Sequence, residues 1–133
     1  MTFVFLAVIA LSLARRTPGQ ASIQVESVAN ATGRPELDSL TRSLDPVVVD
    51  AAVHLRDVRV TTSERTAGAS PMAGVALRSR LIVWNGAPEV ALTAVDRRTG
   101  AVLWTAFASG PPATMARNVA TRIRLLQSSL TRR

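Results

Sequence analysis

The chain has 133 residues, 47% of them hydrophobic, with 16 basic against nine acidic side chains and a formal net charge of +7. That length favours one small domain, and the apolar share excludes disorder throughout. The chain has no cysteine and one histidine, His54, which excludes disulfides, thiolate metal sites, cysteine nucleophiles and a zinc centre built from several imidazoles of one chain.

The run from Thr2 to Ala14 is apolar apart from two small hydroxyl residues, and Arg15-Arg16-Thr17-Pro18-Gly19-Gln20 follows at once. A membrane-spanning helix needs about 20 apolar residues, so the run fits the apolar core of a signal peptide better. Ser12-Leu13-Ala14 and Gly19-Gln20-Ala21 both offer a cleavage pattern, although the basic stretch that normally precedes such a core is missing. Part of a longer membrane helix and a buried core element are the alternatives. Residues 1–20 are therefore expected to be a signal or membrane-anchor segment plus linker, and residues 21–133 a folded domain. The expected location is the periplasm or the inner membrane as an anchored domain. Arg15-Arg16 would favour a cytoplasmic side for the following domain if the segment stayed uncleaved.

Ser22 to Val28 alternates, with Ile23, Val25 and Val28 inward, which predicts a strand. Asn30-Ala31-Thr32-Gly33-Arg34-Pro35 is a turn-rich loop. From about Glu36, Leu37, Leu40, Leu44, Val48, Ala51 and Leu55 recur at steps of three and four, which predicts a helix. Asp45-Pro46 falls inside it and predicts a kink or two abutting helices. Val58 to Thr62 is the next strand. Glu64 to Gly74, rich in Gly and Pro, reads as a loop.

Three further strands are predicted at Ala76–Trp84, Val90–Asp96 and Val102–Phe107. Asn85-Gly86 suits a two-residue hairpin loop, in which both positions need positive φ. A last helix runs from about Ala113 to Leu130, with Ala116, Val119, Ala120, Ile123, Leu126 and Leu130 on one face. The predicted fold is α/β of the α+β kind: a mixed sheet of about five strands in the order β-α-β-β-β-β-α, with two helices packed on one face.

This order and several local strings resemble the TolB amino-terminal domain. Val25 to Leu37 is similar to that family's first strand, loop and helix start, and Leu55 to Val60 to its second strand. Val90 to Trp104 is similar to the hairpin that ends in the family's Gly-x-x-x-Trp, here Gly100 to Trp104. The resemblance covers most of residues 22–130 and implies a non-catalytic module for protein interaction or sensing in the bacterial envelope. It departs at Glu64 to Gly74, where the family has a helix between its second and third strands. A thinner cover there would leave the strand Val58–Thr62 or its neighbour as an edge or an apolar patch, open to a homodimer by edge pairing. Folding of Met72 and Val75 over the gap is the alternative. A competing likeness is Ala94-x-Asp96-x-x-Thr99-Gly100-x-x-x-Trp104 to the docking motif of quinoprotein-type propeller blades. A propeller needs several copies and this chain has one. In either likeness Trp104 reads as a core residue.

No phosphate-binding glycine loop, paired metal-ligand motif or nucleophile elbow is present. No catalytic, cofactor-binding or metal-ligating residue is expected, and no cofactor. The one enzymatic candidate is His54 with Asp50 or Asp57. Its place near a helix end favours a dipole contact instead. Asp96 is expected to cap the hairpin that follows it. The basic residues, all arginine, are scattered from Arg34 to Arg124, with Arg15-Arg16 and Arg132-Arg133 at the ends. That scatter argues for a solvated surface over a nucleic-acid-binding module, which stays as an alternative together with a truncated fragment of a membrane-linked signalling protein. The expected partners are a protein or a second copy, and the membrane through the N-terminal segment.

Overall fold

A computed structural model describes residues 21–62 and 74–131. The predicted signal or anchor segment and nearly all of the predicted loop before Gly74 lie outside the described residues. The elements in chain order are β1 (Ala21–Val25), β2 (Ala29–Asn30), a 3-10 turn (Pro35–Leu37), α1 (Asp38–Val53), β3 (Val58–Thr62), β4 (Val75–Trp84), β5 (Ala87–Asp96), β6 (Val102–Ser109) and α2 (Pro112–Thr131). They form one mixed sheet in the order β3-β1-β4-β5-β6, with β2 alongside β4. β1 runs parallel to β3 and β4, while β4, β5 and β6 form an antiparallel meander. The predicted order holds, with one short strand added.

That added strand comes from a break in the first predicted one. Val25 pairs with Leu77 and Ala29 with Arg80. Four steps along the first segment therefore oppose three along β4, so one residue is extra, as in a bulge. The ladder spans the break through Glu26 N–H to the Leu77 carbonyl at 3.0 Å and Ala31 N–H to the Leu81 carbonyl at 2.8 Å. Val28, buried within the break, donates its N–H to Asp45 Oδ1 at 2.6 Å. Asp45 thus serves a distant strand and not the backbone of its own helix. Pro46 lies inside a single helix, Asp38–Val53, and not at a junction between two. Its missing N–H removes one hydrogen bond on a segment held from outside by Asp45.

The β4–β5 hairpin closes between Trp84 and Ala87, and Asn85 and Gly86 both have positive φ, 52° and 79°. This is the predicted two-residue turn. At the β5–β6 turn, Asp96 N–H donates to the Ala101 carbonyl at 2.8 Å, and the Asp96 carboxylate accepts the Arg98 N–H at 2.9 Å. Asp96 caps the hairpin as expected, by an Asx turn.

The register assigns the two faces of the meander. Val75, Leu77, Ser79 and Leu81 of β4 share the inner face with Val90, Leu92 and Ala94 of β5 and with Trp104, Ala106 and Ala108 of β6. Both helices pack on this side of the sheet, α1 over β1 and β3 through Leu44, Val48, Ala51 and Ala52, α2 over β5 and β6 through Met115, Val119, Ile123, Leu126 and Leu130. Gln127 joins α2 to the turn after α1: its Oε1 accepts the Arg56 N–H at 2.6 Å and its Nε2 donates to the Arg56 carbonyl at 3.0 Å. The Ser79 hydroxyl, in the middle of this apolar face, has no hydrogen-bond partner among the described residues. An unpaired buried hydroxyl costs about 1–3 kcal/mol. Ser79→Ala is therefore expected to leave stability unchanged or raise it by about 1 kcal/mol, read by urea denaturation. A loss of that size would contradict the placement.

The helix-free face of the sheet

The opposite face of the meander carries Arg78, Arg80, Ile82 and Trp84 on β4, Thr93, Ala91 and Glu89 on β5, and Thr105, Phe107 and Ser109 on β6. No described helix packs on it. The side chains that reading frame brings outward are exposed although large and apolar: Trp84 is 65% exposed, Val102 61% and Phe107 49%. Arg80 and Phe107 both neighbour Ala91 across the sheet, so a guanidinium and an aromatic ring flank one small residue. Arg78 is fixed from the side, its Nε donating to Glu26 Oε2 at 3.0 Å. Trp and Arg, with other aromatic side chains, are the residue types that carry most binding energy at protein interfaces.

The single histidine stands elsewhere. His54 follows the last turn of α1, and its Nδ1–H donates to the Asp50 carbonyl at 2.7 Å. The Asp50 carboxylate is 3.8 Å away, and both side chains are more than two-thirds exposed. This is the helix-end contact that its position predicts. Asp57, the other candidate partner, sits at positive φ (58°) in the turn to β3. Among the described residues no three His, Asp or Glu side chains gather as a metal would require.

Trp104 is half-buried against the core, as expected from its place after the Thr99-Gly100 turn. The described arginines are all exposed, distributed over both helices and the sheet. Sequence reading missed that Arg78 and Arg80, which share one face of β4, meet Arg97 from the next turn at one end of the helix-free face. The strand alternation held the first half of that signal; the turn's approach needed the fold. β3 is an outer strand of the sheet, as anticipated. Among the described residues no helix is long and apolar enough to cross a membrane.

No protein-family model and no curated protein matches the sequence. Solved structures do share the fold. The PelC dodecamer from Paraburkholderia phytofirmans superposes with a TM-score of 0.53 at 21% identity, over 84% of this chain and 88% of that one. Lipoprotein GNA1162 from Neisseria meningitidis gives 0.51 at 14% identity, over 81% and 99%. TolB from Acinetobacter baumannii gives 0.47 at 15%, over 84% of this chain and 27% of TolB. For PelC and GNA1162 the likeness is one of fold: an α+β domain, one mixed sheet with two helices on one side.

Proposed function

We propose that this chain is a non-catalytic accessory domain of the bacterial envelope, of the TolB amino-terminal-like kind. In this reading it works by binding protein through the helix-free face of its sheet, with a second copy of the chain as the first partner. The observation that carries the reading is the exposure of Trp84, Val102 and Phe107 beside Arg78 and Arg80 on a face that neither helix covers. In the register Trp84 stands at the β4–β5 end, Phe107 opposite Ala91 near the middle and Val102 at the β5–β6 end, so the exposed apolar groups are spaced along the whole face among exposed arginines. Aromatic and arginine side chains are the types enriched at protein interfaces. Self-assembly is supported by the shared fold with PelC, solved as a dodecamer, and an envelope location by the lipoprotein GNA1162 and by the apolar run Thr2–Ala14.

The location has a direct test. In fractionation of a bacterial host, the tagged full chain is expected in the membrane or periplasmic fraction. A wholly cytosolic, uncleaved product contradicts it. A second reading has its own observation: β3 is an outer strand, and outer strands can pair with a partner's strand. It predicts that proline at Arg59, an exposed position of β3, abolishes assembly while substitutions at Trp84 and Phe107 do not.

A further inference from the structure

At the end of the helix-free face nearest the β5–β6 turn lies an open groove of about 520 Å³, within the size range of small-ligand sites. Arg78 and Arg80 line it from β4, Arg97 from the turn, and Thr93, Val95 and Val102 from β5 and β6. We propose that this groove binds the phosphate group of a phosphate ester, with the esterified carbon lying toward Val95 and Val102. The groove shares Arg78, Arg80 and Val102 with the protein-binding face proposed above, but phosphate binding does not require that role.

The charge balance supports an anion. Arg78 has a partner in Glu26. Arg80 and Arg97 carry exposed guanidiniums with no side-chain partner among the described residues. Asp96 also borders the groove, but it is buried, and its carboxylate is engaged within the turn by the Arg98 N–H at 2.9 Å. Two guanidiniums thus stand against one carboxylate. One comes from β4 and one from the β5–β6 turn, with the Val95–Val102 pair between them in the register. A planar carboxylate is satisfied by a single arginine fork, whereas a tetrahedral phosphate has oxygens for two. Thr93, opposite Arg78 in the register, adds a hydroxyl donor on the floor. Val95 and Val102, between the two arginines in the register, add apolar surface that gives the groove a preference for an ester over the inorganic ion.

The chemistry can come from a soluble ester or from a phospholipid head group, and two probes separate them. The full chain, isotope-labelled in a neutral detergent, is titrated with sn-glycerol 1-phosphate and followed by amide resonances. Shifts are expected at Arg80, Thr93, Arg97, Gly100 and Val102. Binding is expected to fall about tenfold or more in the Arg80→Gln, Arg97→Gln double variant, since hydrogen bonds to charged groups are the strong ones. Arg56→Gln, at the turn before β3, is expected to leave it unchanged. Retention on phosphatidylglycerol vesicles in excess of phosphatidylcholine vesicles, lost in the same double variant, would assign the lipid head group; the N-terminal segment is common to both proteins. Absence of groove shifts together with equal vesicle retention by both proteins would overturn the proposal. So would shifts spread evenly over all arginines. Trp84→Ser with Phe107→Ser is expected to leave phosphate binding intact, so failure of the protein-binding reading and failure of this one are told apart.

Discussion

Leu92→Ala is expected to remove about 3–5 kcal/mol of folding stability, the upper part of the range for large-to-small core changes. Leu92 is fully buried at the centre of β5, between β4 and β6 and beneath the helices. Its cross-strand neighbours on the inner face are Ser79 and Ala106. Both are too small to relax into the space a truncated leucine leaves, so the cavity stays open and its cost adds to the lost transfer energy. Marginal stability makes this a large fraction of the total for a domain of this size. Leu125→Ala is the matched control. Leu125 is 53% exposed on α2, and its loss is expected to change stability by no more than about 0.5 kcal/mol. Urea denaturation of both variants checks the pair. A similar small effect at both positions would contradict the assigned face of β5.

Asp45→Ala is expected to cost about 1–3 kcal/mol, because it leaves the Val28 N–H buried without an acceptor. The damage should be local. Val28 lies where β1 and β2 separate along β4, so the amides of Val28 and Ala31 should lose hydrogen-exchange protection more than those of Val90 and Leu92. Asp45→Asn keeps an acceptor oxygen and is expected to lose less. Equal exchange in wild type and Asp45→Ala would show that the contact holds nothing in place.

These two sites differ in how far the sequence discloses them. Leu92 belongs to an alternating run, and alternation is a local property of a strand with one buried face. The same holds for the apolar stripe of α2 and for Asn85-Gly86, where the turn chemistry is carried by two adjacent residues. The break between β1 and β2 is different. Ser27 and Val28 look like a continuation of the strand, and what ends it is a carboxylate 17 residues later in the chain. Asp45 before Pro46 reads locally as a helix cap, but the tertiary contact takes its oxygen. The Gln127 clamp on Arg56, 71 residues apart, leaves no local signal at all. For the helix-free face, alternation on β4 already sets Arg78, Arg80 and Trp84 on one side. That this is the side without helices follows only from where α1 and α2 pack. The meeting of Arg97 with the β4 arginines likewise depends on the register of the meander.

The proposed function requires the helix-free face to be a contact surface. The most direct measurement is sedimentation equilibrium of the full chain in density-matched neutral detergent, wild type beside Trp84→Ser, Phe107→Ser, with matching circular dichroism and melting temperature as evidence of an intact fold. The wild type is expected to be larger than a monomer and the double variant monomeric at the same concentration. Identical mass distributions for the two folded proteins, whether both assembled or both monomeric, would contradict self-assembly through this face.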